Sequence, residues 1–144
     1  MSQPEIFEKN IILQGISCFR FCEISWRDAE GPKIEVTITE KGTLKGGIDT
    51  ADTVTYWSIP RLGGIYYAEG KGVLMIKEDV NELATWTGQG IGYYSGSKRR
   101  DVGSVFCRAG STTGLLAFLN NMVGVFEYEA DENGNSGGKI WEWK

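Results

Sequence analysis

At 144 residues, with 15 Lys and Arg against 19 Asp and Glu, the chain carries a formal charge of -4 and has the length of one domain with one core. That balance disfavours a phosphate-tracking surface, so nucleic acid is not expected as a partner. The absence of histidine excludes Ser-His-Asp and Cys-His nucleophiles, His-containing zinc sites and imidazole acid-base catalysis.

Met1 to Asn10 is polar, lacks the basic and apolar regions of an export leader, and is expected to be a loosely ordered start to a single domain spanning 1–144. No run approaches the ~20 apolar residues of a spanning helix, so no membrane partner and a cytoplasmic location are expected. Ile11 to Arg27 reads as a long strand, with Cys18, Cys22, Ile24 and Trp26 on one face and Phe19 and Phe21 on the other. Cys18, Cys22 and Cys107 are an odd number of cysteines and are expected as thiols. Cys18 and Cys22 on one regular strand would lie about 13 Å apart, beyond disulfide reach.

Asp28-Ala29-Glu30-Gly31-Pro32 turns the chain, and Lys33 to Lys45 then alternates: Ile34, Val36 and Ile38 face one way, Glu35, Thr37 and Thr39 the other. Val54 to Ile59 is a third strand stopped by Pro60, and Arg61-Leu62-Gly63-Gly64 leads into Ile65 to Lys77. Glu78 to Asn81 turns back into Leu83 to Tyr94, and Ser95-Gly96-Ser97-Lys98 turns into Arg99 to Ala109. Gly110 to Asn121 breaks the rhythm, and its Leu115-Leu116-Ala117-Phe118-Leu119 run predicts a short helical turn near residues 114–120, or a buried loop closing one end. Met122 to Ala130 and Lys139 to Trp143 form the final pair around Asn133-Gly134, whose positive φ angles suit a tight hairpin turn.

Eight strands in succession, with glycines inside them as bend points, predict an all-β fold: a mostly antiparallel, up-and-down, calycin-like closed barrel. Val73-Leu74-Met75-Ile76 and Met122-Val123-Gly124-Val125-Phe126 are apolar on both faces, which calls for cover by a loop, a terminal segment or another subunit. A homo-oligomer, dimer or trimer, is therefore expected.

Gly88-Gln89-Gly90-Ile91-Gly92 lies within a strand pattern rather than between a strand and a helix, so it reads as a bend and not a nucleotide loop. Asp131, Asn133, Asn135 and Glu142 have calcium-loop spacing, but Ser136 stands where such a loop needs glycine and strands flank it. A hairpin turn is expected there, and neither a metal site nor a cofactor is expected in the chain. Lys98-Arg99-Arg100 reads as a solvated loop tip, or else as the crown of a barrel mouth where Arg100, with Arg108 further down its face, holds an anionic ligand.

Glu127 and Glu129 share a strand face with Val123 and Val125. If that face is interior, their pKa values rise and they become acid-base groups or ligand anchors; if it is exterior, they are surface glutamates paired across the sheet with a Lys or Arg. Glu69, beside Gly70 on a strand carrying Tyr67, has the same two readings. Aromatic residues make 12% of the chain, and Tyr67 and Trp86 are candidates either to line a ligand cavity or simply to fill the core. An eight-stranded barrel leaves room for at most one small ligand.

Glu69-Gly70-Lys71-Gly72, Gly103-Ser104 opening a later strand, and Gly114-Leu115-Leu116-Ala117-Phe118-Leu119 before the penultimate strand give a pattern over Gly31 to Lys144 that resembles the allene oxide cyclase and dirigent group of barrels, in particular its small microbial members of unknown function. Plant members of that group guide reactive intermediates inside an apolar barrel and assemble as trimers, so the resemblance implies a ligand cavity and oligomerisation. The matched residues specify fold, and no cyclase active site is matched residue by residue. Two functions are left: a barrel that binds an apolar or amphipathic molecule in its interior, steering or isomerising it without a cofactor, or a structural or interaction module filled by its own side chains. No catalytic residue is assigned.

Overall fold

The computed structural model describes the backbone of residues 11–28, 31–76 and 79–144, and the side chains of 33–76, 79 and 81–144. Its strands are β1 (Ile11–Asp28), β2 (Gly31–Leu44), β3 (Ile48–Arg61), β4 (Ile65–Ile76), β5 (Asp79–Ser95), β6 (Lys98–Ala109), β7 (Val123–Ala130) and β8 (Ser136–Glu142). From β2 to β8 each strand pairs antiparallel with the next, giving a curled, barrel-like, up-and-down sheet. β1 pairs along β2 from Leu13↔Leu44 to Asp28↔Gly31, and along β8 from Ile11↔Trp141 to Ile16↔Gly137. The expected side-chain positions of Cys18, Cys22, Phe19, Phe21 and Trp26, like the Met1 to Asn10 segment, lie outside the described residues. Among the described residues, no helix is long and apolar enough to cross a membrane.

Local chemistry accounts for the strand order. Runs of Val, Ile, Thr and aromatic residues suit a pleated, half-buried surface. Glycines with positive φ, among them Gly46 and Gly47 after β2 and Gly63 and Gly64 after β3, reverse the chain where a side chain would be strained. Two boundaries differ from expectation. β3 begins six residues before Val54 and runs through Pro60 to Arg61, because its partners on β2 and β4 pair it along its whole length. The β7–β8 connection is a five-residue loop, not a two-residue turn: Gly134 alone takes positive φ there, and the Asp131 carboxylate accepts the backbone N–H groups of Asn133 and Asn135, each at 2.9 Å. The Asn135 side-chain amide donates to the same carboxylate at 3.0 Å, and that bond first, then the backbone ones, holds the Asp131 carboxyl below its ordinary value.

Alternation decides which residues face inward. Val36 and Ile38 on β2, Thr50, Asp52 and Val54 on β3, Leu74 and Ile76 on β4, Ala84 on β5 and Val105 on β6 are buried. At one end, Leu44, Leu74, Ile76 and Ala84 meet Leu116, Leu119 and Met122 in a core cluster. The segment 110–122 folds across this end as a plug containing the short 3-10 turn Ala117–Leu119, and the Leu116 N–H donates to Glu82 Oε1 at 2.7 Å. The outward residues of the two doubly apolar strands, Val73 and Val123, are exposed, as is Phe106, the register partner of Val123.

Candidate functional site

Beyond the plug the interior changes character, because the inward positions of β4 become small and those of β5 carry one large ring followed by glycines. Leu74 and Ile76 give way to Gly72, Gly70 and Ala68, and Ala84 is followed by Trp86, Gly88 and Gly90. A Cβ at Gly72 would run into the Trp86 indole, and one at Gly103 would lie 2.7 Å from the Phe126 ring. Glycine at position 72 is what admits the Trp86 ring, and glycine at position 103 admits the close approach of the β5 backbone at Gln89 and Gly90 as well as the Phe126 ring. A partly enclosed cavity of about 150 Å³ remains, walled by Ile38, Val54, Ala68, Val105, Phe126 and Ile140.

Polar residues from several strands border this cavity, Tyr56, Asp101 and Tyr128 among them, and of these Asp52 is the buried one. Glu40 on β2 and Asp52 on β3 are direct register partners, both lining the cavity, and Trp86 comes from β5. Asp52 is 4% exposed. Its Oδ2 accepts the Trp86 indole N–H at 2.9 Å, whereas its buried Oδ1 has no hydrogen-bond partner among the described residues. Burial pushes the Asp52 carboxyl up to about 7; the Trp86 hydrogen bond opposes this and the neighbouring Glu40 charge adds to it. The Cys107 thiol on β6 is pushed up to about 11, first by burial and then by the charge of Asp52. A second polar pair is half-sheltered on the inner side of β6: Arg99 Nη2 contacts Asp101 Oδ1 at 3.0 Å, both side chains 17% exposed, with the Arg99 guanidinium stacked 4.9 Å from the Tyr66 ring.

The residues singled out from the sequence divide between the two faces. Trp86 stands in the cavity wall. Glu127 and Glu129 face outward with Val123 and Val125, because Gly124, Phe126 and Tyr128 take the inward positions of β7. Both are paired across the sheet with Arg100, at 2.8 and 3.0 Å, the arrangement of the exterior of their two readings, although Glu127 also borders the cavity. Arg100 is thus a strand residue on the outer face rather than part of a loop tip or an anion-binding mouth, and Arg108 is exposed on the same strand. Glu69 and Tyr67 meet each other on the outside, where the Tyr67 hydroxyl donates to Glu69 at 2.5 Å and lies 3.0 Å from Gln89 Oε1. That hydrogen bond holds the Tyr67 phenol above its ordinary range.

Asp52 and Glu40 are not among the residues that the sequence singles out. The signal for Glu40 was present, since the Ile34, Val36, Ile38 alternation reaches it in one further step of two. Asp52 extends the Val54, Tyr56 face in the same way, but Asp49 to Thr53 is poor in strand-favouring residues and lies outside the strand expected over Val54 to Ile59.

No protein-family model matches this chain, and no curated protein matches it. Similar solved structures exist. A conserved protein of unknown function from Rhodopseudomonas palustris superposes with a TM-score of 0.72 at 10% identity, covering 92% of this chain and 95% of its own. A protein of unknown function from Clostridium acetobutylicum ATCC 824 superposes with a TM-score of 0.69 at 10% identity, covering 94% of this chain and 98% of its own. At that identity the likeness speaks to fold alone.

Proposed function

We propose that β1 completes the sheet as a closed eight-stranded barrel, and that the interior binds one small apolar or amphipathic molecule without a cofactor. The pairing of β1 with both β2 and β8 supports closure. The observation that carries the binding reading is the cavity of about 150 Å³ with predominantly apolar walls. An apolar cavity of that size is known to accept a benzene-sized guest. The resemblance to the allene oxide cyclase and dirigent group points the same way. The competing reading, a module filled by its own side chains, is favoured by the plugged end, where Leu116 and its neighbours leave an unbroken core.

Filling the cavity separates the two. Ala68→Phe puts a ring where the wall now carries a methyl group, with Ala68→Leu as a milder version. Thermal melts with a panel of single-ring apolar molecules should stabilise the wild type, by about 3 kcal/mol at a hundredfold excess over Kd, and leave Ala68→Phe unmoved. A wild type indifferent to the whole panel, or equal shifts in both proteins, would favour the filled module.

A further inference from the structure

We propose that the interior ligand is a neutral molecule of about one ring that carries a single hydrogen-bond donor, a phenol or alcohol in class, and that Asp52 Oδ1 receives that donor. The inference rests on the interior-binding reading and names the chemistry of its ligand. Three features of the cavity support it.

The first is the state of the carboxyl. Asp52 is nine-tenths buried and more, one of its oxygens is fixed by the Trp86 indole at 2.9 Å, and the other is buried without a partner among the described residues. A buried carboxyl oxygen stripped of water and given nothing in return is costly, so natural structures provide it with a donor. The second is its position. Oδ1 lies over Gly72, 2.8 Å from where a Cβ would stand, and Asp52 borders the cavity, so a guest there reaches it without competing with a side chain from β4. The third is the company it keeps. Ile38, Val54, Val105, Phe126 and Ile140 offer a guest only apolar contact. Of the polar residues that also line the cavity, Tyr56, Asp101 and Tyr128 among them, Asp52 is the one that is buried with an oxygen left unpartnered, in an acidic corner next to its register partner Glu40.

That corner selects by sign and by direction. An anionic guest would bring a further negative charge against two carboxyl groups at low dielectric and is repelled. A ketone or ether presents only acceptors to an acceptor. An unsubstituted hydrocarbon fits the walls but leaves Oδ1 unpaired. A hydroxyl satisfies it, and a hydrogen bond to a charged acceptor is among the stronger ones. Trp86 keeps the carboxyl in the orientation that aims Oδ1 at the guest; it is a positioning residue.

Calorimetric titration of p-cresol, toluene, p-methylanisole and p-toluate tests this, at about pH 8.5 so that Asp52 is ionised. In the wild type, p-cresol should bind about tenfold or more tighter than toluene, p-methylanisole no better than toluene, and p-toluate not at all. In Asp52→Asn the amide oxygen accepts from Trp86 and the NH2 group turns to the cavity, so the p-cresol advantage should collapse and p-methylanisole should gain. Asp52→Leu, with no polar atom, should bind toluene and p-cresol alike and serves if the amide variant fails to fold. Equal binding of p-cresol and toluene by the wild type, or a p-cresol advantage that survives in Asp52→Asn or Asp52→Leu, would overturn the donor assignment and leave the interior site standing. Failure of all four molecules to bind the wild type would overturn both.

Discussion

The two ends of the interior are built on the same strands with opposite inward side chains. β4 contributes Leu74 and Ile76 to the plugged end and Gly70 and Gly72 to the cavity end; β5 contributes Ala84 to the one and Gly88 and Gly90 to the other. The plugged end then receives Leu116, Leu119 and Met122 from a loop and is filled. The cavity end receives the aromatic residues Tyr56, Trp86, Phe126 and Tyr128, which do not fill it, and the one buried carboxyl among the described residues. Interiors are normally packed to crystal-like density, so room left beside a buried acid is a departure from what stability alone would select. The plug stabilises the fold, and the other end gives up some of that stability to keep a cavity.

The largest expected contrast comes from pH. The folded Asp52 carboxyl, at about 7, lies above its unfolded value of 3.8, so the native state holds the proton more tightly than the unfolded chain does. The stability associated with neutral Asp52 is therefore complete below the unfolded value and is lost as pH rises through about 7. A shift of that size corresponds to about 4 kcal/mol. Urea unfolding from about pH 4 to about pH 8 should show the wild type losing roughly that much stability relative to Asp52→Asn. Parallel pH curves for the two proteins would mean that the cavity end carries no buried acid.

At the plugged end, Leu116 is 1% exposed, and Leu116→Ala should cost about 3 kcal/mol by denaturant titration with an unchanged m-value. A loss under about 1 kcal/mol would show that the plug collapses readily and would erase the contrast between the ends.

Gly72→Ala sharpens the comparison, since its methyl group must displace the Trp86–Asp52 pair. The expected cost is about 2 kcal/mol, accompanied by a shift in Trp86 fluorescence that Leu116→Ala does not produce. Unchanged emission would place the indole elsewhere.

The smallest effect belongs to Glu127→Gln. This glutamate, 34% exposed, pairs with Arg100 on the outer face, where such pairs contribute little. Thermal melts should move by no more than about half a kcal/mol, and ligand binding should not move at all. A larger change in binding would return Glu127 to the interior.

Much of the fold was legible because it is written locally. Alternation through Ile34, Val36 and Ile38 marks β2, positive-φ glycines mark the reversals, and the Gly110 to Asn121 break marks the plug. The strand that was cut short, β3, is also the one that hides the site. Asp49 to Thr53 has weak strand preference by itself and becomes strand because β2 and β4 pair with it on both sides. Glu127 shows the complementary gap, since its strand was read correctly and its face could not be.

Where this chain extends, where it turns and which residues share a face follow from the amino acids themselves, since each depends on neighbours a few positions apart. Which face is inside follows from the closing of distant strands on one another, and with it that Trp86 meets Asp52 across 34 positions while Glu127 meets Arg100 on the outside. The period of a strand is two, so its pattern separates two faces without labelling them; the label comes from the direction in which the whole sheet curls.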